Sequence, residues 1–332
     1  MLIRHLKFFV TLAEEQHFGR AAELCSVTQP TLSQAIRKLE EDLNLSLIVR
    51  GHRFLSLTAE GEKVLRWGRQ ILADYESLHD DLRGKKKGGL TGTLRLGVIP
   101  AAMPSVSFVT EQFEDRNPLV QIEIRSMSSR AIEKSLETFE IDGGLTYLDN
   151  EPLDNVRRFP LYRERYVFAC RSDHPLAKAQ TVRWAEAVTQ PLCLLSDDMQ
   201  NRRILNGIAA GAGVELRPKV VSNSFLGVAS HLRRGLWCAI VPHTFGFVFG
   251  RADDLVLLDM VDPVHHQAIG LVLADRLPQS PMVLALQDCV ERADIEGHFD
   301  RAFGGGTGPL RDAAMQEHGR KGRKLGVVGE GR

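Results

Sequence analysis

Gln29, Thr31, Ser33, Gln34, Arg37 and Lys38 share one side of a short stretch of chain. Amide, hydroxyl and basic side chains of this kind hydrogen-bond to base edges and to phosphates, so their grouping points to nucleic-acid recognition. The segment that must hold them, 18–40, reads FGRAAELCSVTQPTLSQAIRKLE. Ala21, Ala22 and Leu24 give one short helix a small apolar side. Ser26 and Val27 make a tight turn, and Thr28 can cap a second helix. Leu32, Ile36 and Leu39 follow at spacings of four and three, which buries the face opposite the polar one. Two helices joined so briefly form a helix-turn-helix, whose second helix enters a major groove.

The neighbouring segments fit this module. Residues 3–15 predict a first helix with Leu6, Phe9, Val10 and Ala13 inward, and Phe18 packs the start of the second. After the third helix, RGHRFLSLT (50–58) predicts a turn at Gly51 and a returning strand with Phe54, Leu55 and Leu57. This reads as a wing, with Arg50 and Arg53 placed to reach phosphates or the minor groove. The alternative is a plain hairpin carrying two surface arginines. Thr58 then caps a helix expected over 59–82. Its seam, Leu65, Gly68, Leu72, Tyr75, His79 and Leu82, broadened by Val64, Ile71 and Leu78, suits pairing with a second copy. GKKKGGLTG (84–92) predicts a hinge, its lysines either touching phosphates or simply solvated.

Beyond the hinge, strand patterns at 93–99, 120–126, from 143, from 166 and at 266–274 alternate with helical patterns. The helices are expected at 106–116, 131–139, 201–211, 225–234 and 281–293. That alternation predicts an α/β domain with a mainly parallel sheet. From Gly304 the chain is glycine-rich and basic without apolar period, which predicts a disordered tail.

Composition narrows the classes. The 332 residues carry 42 basic and 42 acidic side chains, so the formal net charge is zero. A non-specific DNA coater would be strongly basic. Even 1–69 holds only ten basic against eight acidic residues. Placement rather than charge therefore argues for DNA. The five cysteines, Cys25, Cys170, Cys193, Cys238 and Cys289, lack zinc or C-x-x-C spacing. They read as buried thiols in a reducing compartment, with cysteine-based oxidant sensing as the rival. Asp197, Asp198, His243, His265 and His266 match no compact metal signature, and no nucleophile elbow or phosphate-binding glycine loop is present. An enzyme is not expected, nor a metal or cofactor. The opening MLIRHLKFFVTLAEE lacks a signal peptide's sustained apolar core, and no stretch suits a membrane span. A cytoplasmic location is expected. A solute-binding protein, which the later part alone could suggest, is disfavoured by the attached DNA-reading module.

The helix pair, the segment LNLSLIVRGHRFLSLTAEG (43–61), the long helix and the α/β remainder resemble the LysR-type transcriptional regulators over about 3–300. The likeness is most specific in the first 65 residues. It implies an α/β fold class with an all-α-type winged helix-turn-helix N-terminal domain. The effector domain would consist of two α/β subdomains resembling periplasmic binding proteins. The implied divisions are a DNA-binding domain at 1–58, a linker dimerisation helix at 59–83, a hinge at 84–91, an effector domain at 92–303 and a tail at 304–332. Subdomain I would take 92–162 and 267–300, and subdomain II 163–266. The implied partners are double-stranded promoter DNA, a small anionic metabolite effector, a homodimer that assembles into a homotetramer, and RNA polymerase.

Carried over by the same resemblance, Gln29, Pro30, Ser33, Arg37, Arg50 and Arg53 match DNA-contacting positions, beside Thr28, Thr31 and Gln34 of the same helix. Ile48 stands where the family usually has phenylalanine. The effector cleft would take its walls from 100–104, 126–129, Thr146, 196–203 and 222–224, with Ala101, Ala102, Met103, Ser126, Ser128, Ser129, Thr146, Ser196, Arg202 and Asn223 as its binding residues. The loop PAAMP (100–104) lacks the family's hydroxyl before Ser105. Backbone N–H groups at the following helix, or Arg202 or Arg203 from the other wall, would then hold an anion. Plain surface solvation is the alternative for both arginines.

Overall fold

The computed structural model describes residues 3–50, 54–87, 89–149, 151–249, 254–276, 278–295, 297 and 299. The N-terminal module comprises α1 (Ile3–Glu15), α2 (Phe18–Leu24), α3 (Gln29–Leu43), β1 (Ile48–Arg50), β2 (Phe54–Leu57) and α4 (Ala59–Lys87). Leu6, Phe9, Leu12, Ala21, Leu32, Ile36, Leu39 and Leu47 form its buried core, and Ile48 joins them as a packing residue. Leu24 departs from expectation: it is 66% exposed, because α2 ends at that turn. The α2–α3 turn is fixed by Ser26 at φ 54° and by the Val27 N–H donating to the Ala22 carbonyl at 2.9 Å. β1 and β2 pair antiparallel as the expected hairpin. Glycine is required at Gly61, where a Cβ would stand 2.1 Å from the Leu47 carbonyl oxygen.

α4 continues through Lys87, so its last turns run into the segment expected as a hinge. The seam also differs from the expected one. Leu65 is buried in the module core, and a Cβ on Gly68 would meet Leu6 and Val10 of α1 at 3.1 Å. That face serves intramolecular packing. The apolar residues left outward on α4 are Trp67, Tyr75, Leu78 and Leu82.

The remaining elements are β3 (Gly92–Val98), α5 (Met103–Arg116), β4 (Val120–Ser126), α6 (Ser129–Glu137), β5 (Gly143–Tyr147), β6 (Val156–Arg171), β7 (Thr181–Arg183) and α7 (Trp184–Ala187). After them come β8 (Cys193–Leu195), α8 (Gln200–Gly211), β9 (Val220–Ser222), α9 (Phe225–Arg233), β10 (Ala239–Pro242), α10 (Phe245–Phe249), β11 (Leu255–Val261), β12 (His266–Ala274) and α11 (Pro281–Arg292). The main sheet runs β4-β3-β5-β12-β6-β11-β7, with β10 also on β6. It is mixed rather than mainly parallel. β3 pairs parallel with β4 and β5, whereas β12 is antiparallel to β5 and β6. The cause is β6, which starts ten residues before the strand expected at Tyr166. Its first part pairs with β12, and its last part with β10 and β11. One long strand thus belongs to both α/β subdomains.

Candidate nucleic-acid interface and effector cleft

The geometry of α3 follows from its ends. Thr28 caps it, its hydroxyl accepting from the Thr31 N–H at 3.4 Å, and Asn44 closes it in the left-handed conformation at φ 53°. With Leu32, Ile36 and Leu39 buried, Gln29, Pro30, Thr31, Gln34 and Arg37 are exposed and Ser33 is half-buried. The Thr28 and Thr31 hydroxyls lie 2.9 Å apart and orient each other. Lys38 is held back by Glu41 at 3.4 Å and Asp42 at 3.5 Å, and the Glu41 hydrogen bond and Asp42 charge raise its pKa. Arg37 has no ion-pair partner among the described residues, so it is the readier base-reading cation. The Arg50 side chain, Arg53 and the tail from Gly304 lie outside the described residues.

The cleft lies where α8 of one subdomain meets the β3–α5 loop, α6 and β5 of the other. Ile99, Pro100, Ala101, Ser128, Ser129 and Tyr147 form one wall, and Leu195, Met199, Gln200 and Asn201 the other. The space between them is about 10 Å³, room for about one water molecule. Ser128 caps α6, its hydroxyl accepting from the Ala131 N–H at 3.3 Å. The first turn of α6 therefore presents amide donors to the cleft. Ser129 Oγ and Gln200 Oε1 are buried there without a hydrogen-bond partner among the described residues, and so are Thr146 Oγ1 and Ser196 Oγ nearby.

The cleft is closed by three residues of α8. The Asn201 amide donates to the Tyr147 phenol at 2.9 Å, and the Gln200 amide donates to the Asp149 carbonyl at 3.4 Å. Arg203 ion-pairs with Glu151 at 2.6 Å. From the shared strand β6, Glu164 accepts the Tyr147 hydroxyl at 2.8 Å. Glu164 is fully buried, and loss of hydration pushes its carboxyl up to about 8. Burial likewise raises the Tyr147 and Tyr166 phenols well above their usual range, with the Glu164 charge adding to it.

Of the residues expected in the cleft, Ala101, Ser128 and Ser129 line it. Ala102 is buried and Met103 packs on the core beside them, while Thr146 and Ser196 lie just off the lining. Ser126 and Asn223 are exposed and apart from it. Arg202 is neither solvated nor free. It donates to the Leu195 carbonyl and to Asn206, both at 2.9 Å, and sits 3.6 Å from Asp197. Its partners belong to its own subdomain, which removes it as an anchor for an anion. Gln200 and Asn201 fall within the wall expected at 196–203, whereas Tyr147 and Glu164 escaped the sequence reading. One signal was present: Glu164 is a lone acid in the alternating run Tyr162, Tyr166, Phe168, a face expected to be buried.

Cys170, Cys193, Cys238 and Cys289 are buried, and burial raises all four thiols, to about 11 for Cys170 and Cys193 and about 12 for Cys238. No group of three or more His, Cys, Asp or Glu among the described residues could hold a metal ion. No helix among them is long and apolar enough to cross a membrane.

Comparison with known proteins agrees with this architecture. Residues 3–62 match the bacterial regulatory helix-turn-helix protein, lysR family, and residues 87–294 match the LysR substrate binding domain. The DNA-binding transcriptional dual regulator OxyR of Escherichia coli K12 is 27% identical over 91% of this chain and 99% of its own length. The HTH-type transcriptional regulator YbhD of the same organism is 31% identical over 80% of this chain and 84% of its own. A full-length Pseudomonas aeruginosa OxyR with a cysteine-to-aspartate substitution superposes with a TM-score of 0.70 at 23% identity, covering 90% of this chain and 97% of that one. The two family matches cover most of the chain. With a helix-turn-helix module followed by two α/β subdomains that share one strand, this protein belongs to the LysR family of transcriptional regulators, with a DNA-binding domain and an effector domain.

Proposed function

We propose that the chain controls transcription by reading promoter DNA through α3 and by coupling that grip to a small molecule held in the cleft. The polar face of α3 carries the reading: Gln29, Thr31, Gln34 and Arg37 stand exposed over a fully packed core. Thr28, Pro30 and Ser33 complete the helix end that faces base edges, and Arg50 and Arg53 of the wing supply phosphate contacts. The functional divisions are the DNA-binding domain at 1–58, the linker helix that follows it, and the effector domain from 92 onward.

Trp67, Leu78 and Leu82 are exposed along one face of α4, so a second copy pairs along them. Such a dimer places two recognition helices on two half-sites, and effector-domain contacts carry it on to a tetramer. Contact with RNA polymerase belongs to the same reading.

The effector is small and anionic. The N-terminal turn of α6 and the unpartnered Ser129 hydroxyl offer donors on one wall, and the unpartnered Gln200 carbonyl offers an acceptor on the other. Ala101, Ser128, Thr146 and Ser196 frame this site. The ligand has to part Asn201 from Tyr147 to enter. A thermal-shift screen of small carboxylates, run on the wild-type chain and on Ser129→Trp, tests this. Stabilisation of the wild type that is lost in the variant is expected, and equal stabilisation of both removes the cleft as the site.

A further inference from the structure

A second cavity, of about 680 Å³, lies away from the cleft, between the DNA-binding module and subdomain I. Its volume is that of a small-molecule pocket. One wall is α1 and α4, with Arg4, Lys7 and Leu72. The other is the α4–β3 connection and subdomain I, with Leu90, Arg95 and Ile141.

The walls are tied together. Arg69 of α4 reaches Glu14 of α1 at 3.2 Å and Glu140 of subdomain I at 3.1 Å. Arg276, beyond β12, donates to Asp74 of α4 at 2.7 Å, and its guanidinium lies 4.8 Å from the centre of the Phe139 ring. The cavity therefore sits inside a braced joint.

Its charge is one-sided. Arg4, Lys7, Arg95 and Arg276 line it, against Asp142 as the one acidic residue among the described residues of the lining. Asp142 already accepts the Arg95 backbone N–H at 2.7 Å. Arg276 is committed to Asp74. The Arg4 guanidinium lies 5.1 Å from the centre of the Phe8 ring, and among the described residues no carboxylate of the lining pairs with Arg4 or Lys7.

Other occupants fit less well. Trp67, Leu78 and Leu82 lie about a quarter turn around α4 from Leu72 and His79, so a helix paired there leaves the cavity open. The chain's own final segment is basic, with Arg320, Lys321, Arg323 and Lys324, and the rim repels it.

We propose that this joint binds an amphipathic organic anion: an apolar body seated against Leu72, Leu90 and Ile141, with one carboxylate or sulfonate held by Arg4 and Lys7. A molecule there touches both the helix that carries the DNA module and the effector domain, so its binding and the protein's grip on DNA are linked. This inference does not depend on the cleft reading.

The probe is 8-anilinonaphthalene-1-sulfonate, with the uncharged N-phenyl-1-naphthylamine as its control, titrated by fluorescence into the full-length protein. One saturable sulfonate site per chain is expected. Arg4→Ala with Lys7→Ala should weaken the sulfonate about tenfold, as loss of a charge-assisted hydrogen bond does, and hardly change the uncharged dye. Both substituted residues are exposed, so folding is not at stake. Ala274→Trp, which fills the cavity, should displace both dyes. Ser129→Trp in the cleft should displace neither. Sulfonate binding that is unchanged in the double variant, or that is lost in Ser129→Trp instead, overturns the proposal.

Discussion

The Asn201 amide, on α8 of subdomain II, donates at 2.9 Å to the Tyr147 phenol of subdomain I. That phenol donates in turn at 2.8 Å to Glu164, on the strand the two subdomains share. The chain of bonds crosses the cleft and ends at its hinge. All three residues are buried, so each bond is made where water cannot replace it.

Asn201→Ala should therefore loosen the effector domain. It leaves the Tyr147 phenol without its donor, a loss of about 1–3 kcal/mol for a buried polar group. Urea unfolding should show the drop, and hydrogen exchange at 145–149 should quicken. Unchanged exchange there would mean that Asn201 does not hold the cleft shut.

Glu164 sets a pH dependence. Its folded pKa is raised to about 8, against about 4.3 in an unfolded chain. Between those values the folded state holds the proton and the unfolded state has released it, so stability falls as pH rises through that window. Glu164→Gln keeps an acceptor for Tyr147 and removes the titration. The variant should lose this part of the decline between about pH 4.5 and 8, and by pH 8 be more stable than the wild type by up to a few kcal/mol. Parallel stability profiles for the two proteins would contradict the assignment.

The cysteines point away from thiol sensing. The thiolate is the nucleophile, and burial holds Cys170, Cys193, Cys238 and Cys289 in the thiol form at neutral pH. Native protein treated with millimolar peroxide should retain these four as free thiols by alkylation and mass spectrometry. Rapid formation of a disulfide among them would revive the oxidant reading.

On α4, Trp67→Asp and Leu78→Asp should yield a folded 37.0 kDa monomer in sedimentation. Leu65→Asp should instead unfold the N-terminal module, because Leu65 is buried in its core. A stable dimer in the first two variants would move the interface elsewhere.

Much of this was legible in the residues. The buried line Leu32, Ile36 and Leu39 fixes which side of α3 faces outward, because helix periodicity leaves no alternative. β4 and β12 match their expected limits, 120–126 and 266–274, since both are bounded runs of β-favouring residues. The seam of α4 was misread because Leu65 and Leu78 look alike in a pattern. What separates them is α1, which covers one and not the other. Arg202 was misread for the same kind of reason. Its partners, Leu195, Asn206 and Asp197, all lie nearby in the chain, but the turn from β8 into α8 that aims Arg202 at them leaves no periodic mark in the sequence. The Asn201–Tyr147–Glu164 chain joins three elements far apart in sequence, and no local spacing encodes it.

Selection of bound fragments from random duplex DNA by the full-length protein tests the central claim most directly. Wild-type protein should enrich one motif with two half-sites about one helical turn apart, or a multiple of it. Gln29→Ala and Arg37→Ala should each lose about 1–3 kcal/mol on that motif and little on unrelated DNA. No enriched motif, or full affinity for it in both variants, would contradict DNA reading by α3.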